Sequence, residues 1–270
     1  MNGPLAAGVC TRRTVESTLP LDYFIYLPKA GIHDNRVLVS IHGISRNAEE
    51  HVTGFAPWAE RYGAAIVAPL FPVGEFRRYQ RLGVSASEAR ADLAFDRILD
   101  DAARLLGVDL LPLRMFGFSG GGQFAHRYAL FYPRRVARQV LGASGWYTFP
   151  DPEHRYPLGL RIAPPEWPKL TFNPTRFLRI PTLVMVGEHD DVRDTELNRT
   201  RQVDVHQGLN RMERGQRWVG AMRGLARAYG LAHRFDFSLV PGADHAYANY
   251  LAQPMFGDAI FRFLFDQEVD

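Results

Sequence analysis

The chain has 270 residues, of which 46% are hydrophobic and 23% charged, with a formal net charge of +3. This composition excludes a disordered chain and suits one α/β core of ordinary enzyme size, so a single domain over residues 1–270 is expected. The positive charge is nearly all arginine, scattered among acids, with lysine only at Lys29 and Lys169, so no nucleic-acid partner is expected.

Taken in order, the start MNGPLAAGVCTRRTVEST places its arginines after its apolar residues, which does not fit a secretory leader. Cys10 is the one cysteine, so no intrachain disulfide can form. No run approaches the ~20 apolar residues of a membrane span, and the expected location is cytoplasmic, with no membrane partner. LDYFIYLP (21–28) alternates like a strand near a sheet edge, whereas VLVSIHG (37–43) and AAIVAPL (64–70) read as buried central strands. Part of AEEHVTGFAPWAERYG between them has helical character. Residues 87–106 predict an amphipathic helix with Leu93, Ile98, Ala102 and Leu105 on its apolar face, and Ser85 with Glu88 as a capping box.

Further strands are expected in RMFGF, VARQVLG, PTLVMVG and RFDFSLV, with a helix ending near Tyr229 and a closing C-terminal helix. Two segments lose periodicity. Residues 146–179 are rich in proline and aromatics and predict a lid or wall, and residues 192–210 predict a second irregular arm. Strands alternating with helices imply a mostly parallel sheet covered on both faces.

The chemistry is carried by GFSGGG (117–122). A phosphate-binding P-loop needs lysine after its last glycine, where this chain has Gln123, and a dinucleotide fingerprint starting at Gly117 needs glycine at Ser119. The pattern fits G-x-S-x-G, which sets a nucleophilic serine on a sharp strand-to-helix turn. Gly117 and Gly121 are the small residues such a turn demands, and the Gly120 amide at the helix start favours negative charge beside Ser119. A serine needs a base and an orienting acid, which follow here as Asp190 in GEHDD and His245 in PGADH, each after a strand. Asp191 is the rival acid. His126 reads as structural, while His42, His189 and His206 are candidates to line the site but sit poorly for a general base. The Ile44 amide in IHGIS is the second candidate oxyanion donor.

With IHGIS, GFSGGG, GEHD and PGADH in this order, the sequence from Leu21 onward resembles the α/β-hydrolase superfamily. GFSGGGQFAHRYALFYPRRV is most similar to the bacterial esterase branch that includes polyhydroxybutyrate depolymerase-like and feruloyl-esterase-like proteins. The resemblance implies a carboxylic ester hydrolase using Ser119, Asp190 and His245 on a small-molecule ester, with no cofactor and a loop-rich insertion in place of a large cap. Peptide or amide cleavage and acyl transfer use the same parts, and a non-catalytic binding protein is the rival of another class. Trp146 and Tyr147, after a strand end, are candidate pocket-lining residues. Arg193 and Asn210, with Arg211, are candidates to hold a substrate carboxylate or polar leaving group. No metal-ligand spacing is apparent, so no metal is expected.

Overall fold

The runs of β-branched and apolar residues form the middle of a single eight-stranded sheet in a computed structural model that describes residues 5–16, 19–83, 89–162 and 172–266. In chain order the elements are β1 (Cys10–Val15), β2 (Leu21–Tyr26), β3 (Val37–Ile41), α1 (Ala48–Tyr62), β4 (Ala65–Pro69), α2 (Ala91–Leu106), β5 (Leu113–Phe118), α3 (Gly120–Phe131), β6 (Val136–Gly142), α4 (Pro174–Phe177), β7 (Thr182–Gly187), α5 (Arg201–Gln207), α6 (Arg211–Ala228), β8 (Phe235–Val240), α7 (Tyr247–Leu251) and α8 (Pro254–Phe261). The strand order is β1-β2-β4-β3-β5-β6-β7-β8; β2 runs antiparallel to β1 and β4, and all other neighbours are parallel.

Alternation along the strands divides the core in two. Val37, Val39, Leu113 and Met115 face one cluster, which the buried faces of α2, α3 and α6 complete with Phe95, Tyr128 and Trp218. Leu38, Phe116 and Phe118 face the other, closed by Phe55 of α1 and Phe256 and Ile260 of α8. Every residue of β3 and β4 is buried; the one polar side chain among them, Ser40, is paired with His51 Nδ1 of α1 at 2.8 Å.

The structure departs from the sequence expectations in four places. CTRRTV forms the edge strand β1, whose wet outer side gives it no apolar alternation to read. Helix α2 begins at Ala91, residues 89 and 90 standing outside it, and its N-cap is Arg90, whose guanidinium pairs with Asp92; the expected start at Ser87 and the Ser85–Glu88 box lie outside the described residues. Ile98 and Ala102 are buried and Leu105 is half-buried, but Leu93 is 50% exposed. Phe95 sets the buried stripe instead, its ring meeting Phe124 and Tyr128 edge-on at 5.2 and 5.0 Å. Lastly, each irregular segment contains a short helix: α4 within 146–179 and α5 within 192–210. Neither is long enough to display a helical period.

Candidate active site

The carboxyl ends of β3, β5, β7 and β8 open on one edge of the sheet, where α/β folds gather their ligands. At the end of β5, Ser119 has φ 52° and ψ −111°, a conformation that costs about 1–3 kcal/mol for a non-glycine residue. The backbone on both sides holds it there. Ser119 N–H donates to Gly142 O at 2.7 Å, extending the sheet, and Gln123 N–H donates to Ser119 O at 3.2 Å, starting α3. A Cβ on Gly117 would collide with the Gly121 carbonyl, and one on Gly121 with the Ile41 carbonyl. Both positions therefore accept glycine alone, which is the steric demand read from G-x-S-x-G.

Three residues singled out in the sequence meet here. Ser119 Oγ lies 3.2 Å from His245 Nε2, and His245 Nδ1 lies 2.9 Å from Asp190 Oδ2. His245 comes from the loop between β8 and α7, and Asp190 from the turn after β7; Asp191 is exposed. Asp190 is fully enclosed. Its Oδ1 accepts from Arg211 at 3.1 Å, and Tyr250, which also takes the Gly187 N–H, donates to Oδ2 at 3.4 Å. Arg211 in turn makes two hydrogen bonds to Asp194, at 2.7 and 3.1 Å. Burial raises the Asp194 carboxyl, but donation and charge from Arg211 outweigh it and hold it below the usual carboxylate value. Arg211 thus does hold carboxylates, but they belong to the protein. Two carboxylates around one guanidinium leave a net charge of −1 beside His245.

The backbones of Gly120 and Ile44 approach closely: a Cβ on Gly120 would stand 3.4 Å from Ile44 N. His42 fixes the loop that carries Ile44. Its Nδ1–H donates to Gly43 O at 2.7 Å, while its Nε2 accepts from Phe71 N–H at 3.0 Å. The Gly43 carbonyl and the Ile44 N–H belong to one planar trans peptide, so holding the oxygen aims the N–H the opposite way. Burial pushes the His42 imidazole down to about 3, which keeps it neutral and able to accept from Phe71. Tyr79 adds a 2.6 Å hydrogen bond to His42 O. His42 and Tyr79 were not foreseen in these roles; the signal was the HG dipeptide at a strand end.

A cavity of about 340 Å³ opens over Ser119 and His245, walled by Ile44, Asn47, Phe118 and Tyr247 and bearing the carboxylates Glu50 and Glu196. No lysine or arginine is among its described lining residues. The expected substrate-binding residues are placed elsewhere. Trp146 lies under the Arg127 guanidinium at 4.3 Å, and Tyr147 stacks on Trp218 at 4.9 Å with its backbone N–H and C=O both paired to the Gln207 amide. Arg193 bonds Asp204 and the Leu209 carbonyl, and Asn210 caps α6 by accepting from Glu213 N–H at 2.9 Å. Their side chains are occupied in joining the arms, which spacing alone does not reveal. His126 bridges Gly122 O and Thr148 N–H inside the core.

The chain has the α/β-hydrolase fold. Poly(aspartic acid) hydrolase-1 from Sphingomonas sp. KT-1 superposes with a TM-score of 0.80 at 24% identity, over 95% of this chain and 100% of that one. The poly(3-hydroxybutyrate) depolymerase LpqC from Bordetella parapertussis gives 0.77 at 23%, covering 97% and 93%. XC6422 from Xanthomonas campestris, an α/β serine hydrolase without a lid, gives 0.52 at 13%, covering 98% and 100%. No protein-family model matches the sequence, and no curated protein matches it either. Among the described residues no helix is long and apolar enough to cross a membrane.

Proposed function

We propose that this chain is a serine hydrolase that cleaves carboxylic esters of small molecules through an acyl-enzyme on Ser119. The observation that carries the proposal is the continuous hydrogen-bonded path from Ser119 through His245 to Asp190. Ser119 Oγ attacks the ester carbonyl as His245 Nε2 takes its proton, and the oxyanion is received by the Gly120 and Ile44 amides. Collapse breaks the C–O bond, and His245 Nε2–H gives the proton to the departing alcohol. Water then repeats the sequence on the acyl-enzyme and releases the acid. Asp190 holds His245 with Nε2 facing the serine and stabilises the imidazolium. The net −1 of the Asp190–Arg211–Asp194 cluster balances that cation, and the buried Asp190 and Arg211 are screened little by solvent.

Glu50 and Glu196 favour neutral or cationic substrates, since a substrate carboxylate entering beside two others is repelled. Amide cleavage with the same residues is the second reading, favoured by the similarity to a poly(aspartic acid) hydrolase. The acidic cavity weighs against a polyanion in this chain.

The test pairs an activated fluorophosphonate probe with p-nitrophenyl esters of increasing chain length. The wild type is expected to label and turn over, and Ser119→Ala to lose labelling and roughly 10⁴–10⁶ in kcat/KM. Equal labelling of Ser119→Ala would put the reactive nucleophile at another residue and overturn the role of Ser119, and no labelling of the wild type would leave a non-catalytic binding protein as the better reading. Matched amides turned over faster than the esters would favour the second reading.

A further inference from the structure

The two arms bring together a group of side chains that the proposed hydrolysis does not use. Asp151 and His154 stand in the first arm, and His206 stands on α5 in the second. One ligand atom from each lies within 4.8 Å of the other two. His206 Nε2 is buried with no hydrogen-bond partner, and its ring packs against those of Phe149 and His154, each at 4.8 Å between centroids. We propose that Asp151, His154 and His206 form a divalent transition-metal site, best suited to Zn²⁺, that staples the 149–161 loop to α5.

The donor set selects the metal. Two imidazoles and one carboxylate suit zinc, whereas Ca²⁺ and Mg²⁺ require mostly oxygen ligands. Tetrahedral bonds of ~2.0–2.1 Å put ligand atoms roughly 3.4 Å apart, so the three must close by about 1.4 Å at most. His154 and Asp151 are 37% and 28% exposed and have room to turn inward. Asp151 is partly committed already: its Oδ1 accepts from Glu153 N–H at 2.8 Å, while Oδ2 meets His154 Nδ1 at 2.7 Å. The metal replaces that second contact, and water fills its fourth position.

The loop carrying Asp151 and His154 is preorganised by its own backbone. Leu160 N–H donates to Asp151 O at 2.7 Å, Arg161 N–H to His154 O at 3.0 Å, and Phe149 N–H to Leu158 O at 2.8 Å. Gly159 permits this closure, because a Cβ there would strike the Asp151 and His154 carbonyls. Beside the cluster, Gln207 already ties α5 to Tyr147 through two hydrogen bonds of 2.8 Å. A metal at His206 adds a second tie at the neighbouring residue. None of the three ligands lines the cavity over Ser119.

Isothermal titration of chelator-stripped, full-length protein with ZnCl₂ tests the site, together with thermal melts. One equivalent is expected with a Kd of about 10 µM or tighter, and at a hundredfold excess over Kd a rise in Tm of roughly 5 °C. His154→Ala and His206→Ala should each weaken binding about 100-fold, while His245→Ala leaves it unchanged. Asp151→Asn keeps the acceptor for Glu153 N–H, so it should preserve the apo Tm and still weaken zinc binding by roughly tenfold or more. Three results overturn the proposal: no binding up to about 1 mM zinc, binding that survives the arm variants, or binding abolished by His245→Ala. The last would assign the ion to the Ser119 site.

Discussion

The floor of the site and the arms beside it are held by different kinds of bond. On the floor, backbone meets backbone: Ser119 N–H reaches Gly142 O, and Gly117 and Gly121 sit where a single added carbon has no space. In the arms, backbone bonds shape the 149–161 loop internally, and long polar side chains reach across to distant backbone to hold the arms in place. Arg214 donates to the Gly145, Asn198 and Gly208 carbonyls, Gln207 clasps Tyr147, and Trp218 donates its indole N–H to Thr148 O. The floor is therefore intolerant at the scale of one atom, whereas the arms give way one hydrogen bond at a time.

The largest expected effect breaks the floor. Gly121→Ala drives a Cβ into the Ile41 carbonyl, and Ile41 ends the strand that leads into the Gly43–Ile44 loop. Backbone must move, so we expect a loss of about 4 kcal/mol or more in urea unfolding and at least roughly 100-fold in ester turnover. Gly43→Ala sharpens the point. Its Cβ would rest 3.5 Å from Ser119 Cβ, an ordinary contact, and activity should stay within about tenfold of wild type. Comparable losses in both variants would show that close packing is not what sets the elbow.

Acid should loosen the floor before the arms. Burial lowers His42 to about 3 and holds His51 and His126 well below the usual histidine value, with His42 and Arg127 respectively adding to the effect. The unfolded chain takes up a proton at each near pH 6.5 and the folded chain refuses it, so stability is full above that pH and falls as pH drops through it. By pH 6 each of the three costs on the order of 1 kcal/mol. The arm carboxylates lose stability in the same direction but at lower pH. Asp204, through Arg193, and Asp194, through Arg211, titrate below the ordinary 3.8, so their contribution is lost only as pH falls beneath that value. Urea midpoints measured between about pH 8 and 4.5 should start to fall near pH 6.5; a flat profile down to about pH 4.5 contradicts the buried neutral histidines.

This contrast also explains what was legible in the sequence. The elbow glycines, the existence of the central strands and the positions of Ser119, Asp190 and His245 after strand ends are local patterns, because strand periodicity and tight turns depend on neighbouring residues; the order of the strands in the sheet is not such a pattern. Arg211 was visible as a carboxylate-binding candidate, but its partners Asp190 and Asp194 were not, since that pairing depends on how α6 docks beside β7. Trp146 and Tyr147 follow a strand end that opens on the site, yet Arg127 and Gln207 capture them from other elements. Nothing in a one-dimensional pattern brings Asp151 and His154 to His206. The acidic wall from Glu50 and Glu196 was hidden for the same reason, since α1 and the second arm supply one residue each.

The smallest expected effect concerns the second arm and separates structure from binding at Asn210. Its side chain accepts from Glu213 N–H at 2.9 Å, satisfying a donor that the first turn of α6 otherwise leaves without an acceptor. Removing it by Asn210→Ala should cost about 1 kcal/mol, within the usual range for an N-cap, and Asn210→Ser should recover most of that. Because the side chain is engaged at the helix end and is absent from the lining of the cavity, KM for a small ester should not change. A several-fold rise in KM for Asn210→Ala, with stability restored but KM still raised in Asn210→Ser, would return this residue to the substrate and move the edge of the site into the arm.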